Sequence, residues 1–320
     1  MTESICKEWY LNNLGTGNDK MAAVMMTVSL VLDALGIARY SSKKSKRTYD
    51  DHCKIGLLVL KAATERSYRD FCELLWSMPG VMAAGGITKV PDPSTLRKFL
   101  SRLTIGLLDR VIGETARMLC GPSVIAAFDS TGYSMSCASR HYVTRMKQMG
   151  AVKNEVKDYA KVTLLGDVSS KAIISCGVFT SGTADVKAAV PVIENAAKTE
   201  VTIAEALGDK GHDSEPFHRD VRRILGDGVD VWIPVREYEP KSQKSEHLNY
   251  PKGWYRRKCH AEIRESMYSY RSQIETINSM IKRKMGDVVY GKSMESIRRE
   301  VMFIVISHNV RLLLGSGWVI

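Results

Sequence analysis

From Cys120 onward the sequence breaks into short apolar runs rich in β-branched residues, and this pattern most narrows what the chain can fold into. The runs are "SVIAAFDS", "AKVTLLGDVSSKAIISCGVF", "VTIAEALGD" and "VDVWIPV". They predict five strands. The first ends at Asp129, the second and third are joined through a turn region at Gly166 and Asp167, and the fourth ends at Asp209. Helical stretches at Pro191–Lys198 and Pro216–Leu225 fall between the later strands, giving the order β-β-β-α-β-α-β-α. Three strands followed by βα alternation predict an α/β domain: a mixed five-stranded sheet with helices on its faces. A final, largely apolar helix is expected in "SMESIRREVMFIVISHNVRLLL".

The preceding region has a different period. Ile55, Leu58, Val59 and Ala62 recur at helical spacing, as do Tyr68, Phe71, Cys72 and Leu75 after an N-cap at Ser67. In "PDPSTLRKFLSRL" the prolines 91 and 93 are breakers and Ser94 is the expected N-cap. Leu96, Phe99, Leu100 and Leu103 form one face there, and Arg97, Lys98, Ser101 and Arg102 the other. A basic, hydroxyl-bearing face opposite a core face suits a helix laid against DNA, although a merely solvated face has the same composition. Another helix is expected at Leu107–Met118. The boundaries read as an N-terminal helical segment at 1–45, a small all-helical DNA-binding domain at 46–118, and a catalytic domain at 119–320. The last contains a short basic insertion at 237–260 carrying Lys252, Arg256, Arg257 and Lys258.

Charge and cysteine usage constrain the setting. The net charge of +11 favours a polyanionic partner, nucleic acid first. Seven scattered cysteines show neither a C-x-x-C zinc spacing nor a disulfide framework, which points to a reducing cytoplasm. The apolar stretch Met21–Ile37 carries Asp33 and is short for a membrane span; a buried helix is expected, and no membrane partner.

Two aspartates follow apolar strands, Asp129 directly after "VIAAF" and Asp209 after "IAEAL" and one glycine. Ligands of open α/β sheets gather at carboxyl ends of strands, so neighbouring strands would bring these carboxylates together. Such a pair repels unless it shares a cation. A third acid comes from "MYSYRSQIETINSMIKRK": at about 100° per residue, Tyr268, Arg271 and Lys282 fall within about 40° of Glu275. Ile274, Ile277 and Ile281 form a separate apolar stripe. Glu275 would complete an oxygen cage for Mg²⁺, while Arg271 orients it or grips a phosphate and Tyr268 and Lys282 contact a DNA strand. On its own, such a helix also reads as a solvent face with one Arg-Glu pair.

The spacing Tyr268-x2-Arg271-x3-Glu275-x6-Lys282 reproduces the Y-R-E-K signature of DDE transposases of bacterial and archaeal insertion sequences, families 4 and 5 in particular. "AAFDST" looks like their first-aspartate strand, and "GDKGHDS" resembles their second-aspartate motif, with His212 where tyrosine is usual. The helical region 46–118 resembles the group's N-terminal DNA-binding part less specifically. The resemblance implies an RNase H-like core and Mg²⁺ or Mn²⁺ held by the catalytic residues Asp129, Asp209 and Glu275. It also implies terminal inverted repeats and target DNA as substrates, strand cleavage and strand transfer, an oligomer at least dimeric in the synaptic complex, and a nucleoid-associated cytoplasmic location. Ser94, Thr95, Arg97, Lys98, Ser101 and Arg102 are the DNA-contact candidates. In some relatives a tryptophan of a large β-rich insertion, absent here, stacks on a flipped base. Trp254 is the candidate for that role, Trp232 a weaker one, and packing is the commoner use of either. His212 and His218 lack cysteine partners for zinc and are expected at the surface or on phosphate. The alternatives are a domesticated, non-enzymatic DNA-binding protein and an RNase H-like nuclease without strand transfer.

Overall fold

The computed structural model describes residues 19–41, 44, 46–136, 159–236, 251–263 and 268–315. Residues 237–250 of the basic insertion and parts of the N-terminal segment lie outside them. Two compact units divide the chain, Met1–Leu119 with Met302–Ile320, and Cys120–Val301.

The first unit holds helices α1 (Lys20–Ala34), α2 (Asp51–Ala63), α3 (Tyr68–Leu75), α4 (Pro79–Ala84), α5 (Pro93–Arg102) and α6 (Ile105–Leu119). The apolar Met21–Ile37 stretch is a core helix, with Val24, Met25, Val28, Val31 and Leu32 buried. No described helix is long and apolar enough to cross a membrane. In α2, Ile55, Leu58 and Val59 are buried as the period predicts, but Ala63 rather than Ala62 takes the last core place. Leu57 and Leu60 are buried too, because α2 is enclosed on more than one side. Ser67 caps α3, accepting from the Asp70 amide at 3.2 Å. The cap of α5 is Asp92, not Ser94: its carboxylate accepts from the Ser94 amide at 2.8 Å, and Pro93 becomes the first helical residue. Proline is tolerated there because that amide has no helical partner to lose.

The second unit is a mixed sheet. Its strands are β1 (Val124–Met135), β2 (Tyr159–Asp167), β3 (Ile173–Thr180), β4 (Ile203–Leu207) and β5 (Asp230–Trp232), in spatial order β3-β2-β1-β4-β5. β2 lies antiparallel between β1 and β3, whereas β4 runs parallel to both β1 and β5. Helices α7 (Asp185–Ala196) and α8 (Glu215–Leu225) separate the later strands in the predicted order. They are followed by α9 (Trp254–Glu262) and α10 (Ser272–Met285). A two-residue strand, β6 (Val288–Val289), was not foreseen; it pairs with Ser134 and Met135 and makes the sheet six-stranded. The β2–β3 turn starts one residue after Gly166-Asp167: Asp167 ends β2 and its carboxylate accepts from the amides of Ser169 and Ser170. The closing helix α11 (Met294–Leu313) gives its residues from Met302 onward to the first unit.

Candidate active site

The first aspartate is not at a strand end. β1 continues six residues past Asp129, because the residues that follow pair with β2 as far as Ser134 opposite Tyr159. On its other edge β1 is covered only in part. β4 stops with Leu207 opposite Ala127, and β6 begins with Val288 opposite Ser134. Asp129 lies in the interval between them, where β1 has no described strand partner on that edge.

Asp209 does follow its strand. It stands two residues past Leu207, as Asp129 stands two past Ala127, the residue paired with Leu207. Gly208 permits this closeness. A Cβ there would fall 2.3 Å from Cζ of Phe128, the residue before Asp129, so only glycine lets the two chains stay side by side. The Asp209 carboxylate accepts from the Lys210 amide at 2.7 Å and caps a single 3₁₀ turn, Lys210–His212.

Glu275 arrives on α10, which seats itself through Ile274, Ile277 and Ile281, all fully buried. The polar stripe is broken at its start. Ser269–Arg271 form a 3₁₀ turn, with Tyr268 before it and α10 beginning at Ser272. Arg271 still reaches Glu275 Oε1 at 2.7 Å, and its guanidinium stands 5.8 Å from the Tyr268 ring centre. Glu275 is 55% exposed and Arg271 21%. Lys282 is engaged differently: its ammonium donates to the Gly132 carbonyl at 2.8 Å and sits 5.3 Å from the buried Tyr133 ring.

These groups feel one another. Burial raises the Asp129 pKa; the Ser130 amide and Arg271 pull it down, while Glu275 and Asp209 push it up. Burial likewise raises the Tyr268 phenol, opposed by Arg271 and assisted by Asp209 and Glu275. For Arg271, burial disfavours the charge, but Tyr268, Asp209 and Glu275 together outweigh it and raise the pKa. Asp129, Asp209, Glu275, Arg271 and Tyr268 therefore share one electrostatic site. Among the described residues, however, no three His, Cys, Asp or Glu side chains are close enough to hold one ion. The donor set of two aspartates and a glutamate suits magnesium or manganese, and the repulsion at Asp129 favours a cation, but the three carboxylates are not gathered around one point.

Asn278, one turn after Glu275, was missed by sequence reasoning. Its amide nitrogen reaches Asp129 Oδ2 at 3.4 Å. It lies between Ile277 and Ile281 in the sequence, and a neutral amide beside an apolar stripe gives no signal of its own.

Other candidates are placed elsewhere. His212 and His218 are not surface residues; they are 2% and 0% exposed. His212 packs edge-on against Phe128 at 4.8 Å, so an aromatic ring at this position serves the core. His218 meets the Arg222 guanidinium through Nδ1 at 3.5 Å on α8, and burial drives its pKa down to about 4. Trp232 is buried in β5 and donates to Glu205 at 2.9 Å, a packing role. Trp254, by contrast, is 60% exposed at the start of α9, edge-on to Tyr255. On α5, Ser94, Arg97, Lys98, Ser101 and Arg102 are exposed and Thr95 half-buried, with Leu96 in the core.

The "GHDSE" segment also anchors the insertion helix. Arg256 holds the buried Asp213 carboxylate through two nitrogens, and Glu215 accepts from the Tyr255 and Arg256 amides at the start of α9.

Comparison with known proteins gives three findings. The family described as "Transposase DDE domain" matches residues 122–310, more than half of the chain. An uncharacterised protein of Aquifex aeolicus strain VF5 is 26% identical over 163 residues, 49% of this chain and 47% of that protein, so the match spans about half of the relative's length. A piggyBac transposase, solved as a synaptic complex with hairpin DNA, aligns over 89% of this chain and 72% of its own at 16% identity. Its TM-score of 0.37 is too low to establish a common fold.

Proposed function

We infer that this chain, which belongs to the Transposase DDE domain family, is a DNA transposase of an insertion sequence. On this reading the region 119–320 is the catalytic domain, and its part within the second unit, Cys120–Val301, is an RNase H-like core. The helical region 46–118 binds terminal inverted repeats through the exposed face of α5, and the active species is an oligomer holding two ends. The observation that carries the reading is that Asp209, just past a strand parallel to the one bearing Asp129, acts on the Asp129 carboxylate together with Glu275 and Arg271.

Asp129, Asp209 and Glu275 would hold Mg²⁺ or Mn²⁺. Such an ion would supply activation of an attacking oxygen and charge neutralisation at a leaving one in phosphodiester displacement. The chain's own groups do the rest. Arg271 orients Glu275 and stands where a phosphate oxygen can share its guanidinium. Tyr268 donates its phenolic proton to a phosphate, since burial and the neighbouring acids keep it protonated. Lys282 fixes the open edge of β1 at Gly132, and DNA would compete for its ammonium. Trp254, exposed beside Tyr255 and Lys258, offers a stacking face to an unpaired base.

The test is direct. The purified protein, given DNA carrying its element's ends and Mg²⁺, should nick at the termini and join the ends to target DNA. Tight binding with no cleavage under any divalent ion would count against it.

A second reading, DNA binding without chemistry, draws on the pairing of Glu275 with Arg271 and on the ungathered carboxylates. Asp129→Ala separates the two: end binding should survive and strand transfer should vanish. Supplying a pre-cleaved 3′-hydroxyl end distinguishes a transposase from a nuclease that cannot join strands.

A further inference from the structure

We propose that Asn278 is a positioning residue of the carboxylate site, holding Asp129 in the orientation that takes up a divalent cation; this rests on the reading of Asp129 as a cation ligand. Three observations converge on it. Asn278 Nδ2 reaches Asp129 Oδ2 at 3.4 Å, long for a hydrogen bond but within reach of a small shift. The residue is only 8% exposed, so water does little to satisfy its side chain. Its Oδ1 is buried and finds no hydrogen-bond partner among the described residues.

A buried amide with one end unmet costs free energy that an apolar residue of the same size avoids. Asn278 occupies the core face of α10, between Ile277 and Ile281, where leucine would fit the stripe. The polar residue is therefore poor for packing, and its only described side-chain bond is to Asp129. Carboxylates that bind metal are commonly held by such a hydrogen bond, which leaves the second oxygen directed at the ion. The amide oxygen is attached to the same carbon as Nδ2, so it too lies beside Asp129. It is a neutral acceptor and adds no fourth negative charge beside Asp129, Asp209 and Glu275.

Mn²⁺ binding to the full chain, followed by the loss of its free electron-spin-resonance signal on titration, tests this without depending on turnover. Wild type should bind, and Asp129→Asn should abolish or strongly weaken binding. Asn278→Leu, of similar size and without polar atoms, should fold, melt no lower than wild type and bind terminal DNA normally, yet weaken Mn²⁺ binding about 10-fold or more. Asn278→His, whose ring nitrogen can replace the donor, should recover part of that loss. Unchanged Mn²⁺ affinity in Asn278→Leu, with Asp129→Asn defective, overturns the Asn278 assignment alone. Mn²⁺ binding indifferent to Asp129→Asn overturns the cation-site reading and the assignment with it. If the leucine variant unfolds, Asn278→Ser takes its place, and the same affinity criterion decides.

Discussion

Arg256 grips Asp213 with two nitrogens, each 2.6 Å from a carboxylate oxygen, and the Asp213 side chain is fully buried. This pair fastens the insertion helix α9 to the segment that follows the second aspartate. Removing one partner of a buried pair leaves the other charge uncompensated, at about 3–5 kcal/mol. Asp213→Asn should therefore lower the melting temperature by several degrees, and amide exchange should show α9 losing protection before the sheet does. Equal protection in α9 and in β1 would show that the pair does not hold the helix.

Gly208 and Phe128 set the spacing of the two aspartates. Gly208→Ala places a methyl against the Phe128 ring, 2.3 Å from Cζ before relaxation. Overpacking of this kind costs about 1–3 kcal/mol. Cleavage should fall further than this destabilisation accounts for, because the strand that carries Asp209 is displaced. Phe128→Leu combined with Gly208→Ala should recover much of the stability, and a non-additive double-mutant cycle is the measurement that checks it.

His218 gives a pH dependence with a defined sign. Its folded pKa is depressed to about 4 by burial, followed by the repulsion of Arg222. The unfolded side chain titrates near about 6.5. Above that value both states are neutral and the full stability is present. As pH falls toward 4 the unfolded chain takes up a proton that the folded one refuses, and stability is lost, by about 3 kcal/mol at most. Denaturant melts between pH 7 and 4 should show this slope, and His218→Gln should flatten it.

Glu275→Gln should be nearly silent in stability. Its pair with Arg271 is more than half exposed on the glutamate side, and such i,i+4 pairs contribute only about 0.3–0.5 kcal/mol. Strand cleavage should fall by more than the roughly 10–100-fold typical of residues one step removed from a metal. A melting temperature far below wild type would instead make Glu275 a structural residue.

The sequence by itself determined most of the longer elements, though not α4, α9 or β6. Alternating periods placed the helices and strands because burial requires period 3.6 on one and period 2 on the other, and that requirement is local. It also singled out candidates: Asp129 and Asp209 because each follows an apolar run, and Glu275 and Arg271 because spacing within one helix fixes which residues share a face. What it could not supply was the extent of β1, because the residues after Asp129 are held as strand by pairing with β2, a contact more than 20 residues away. The cap of α5 went to Asp92 instead of Ser94 because proline fills the first helical position as readily as it breaks a helix. The core places of His212 and His218 depended on Phe128, Phe217 and Arg222 closing around them. Asn278 meets Asp129 across 149 positions of chain. Local periodicity can show that a residue faces inward; only the tertiary structure shows what it faces.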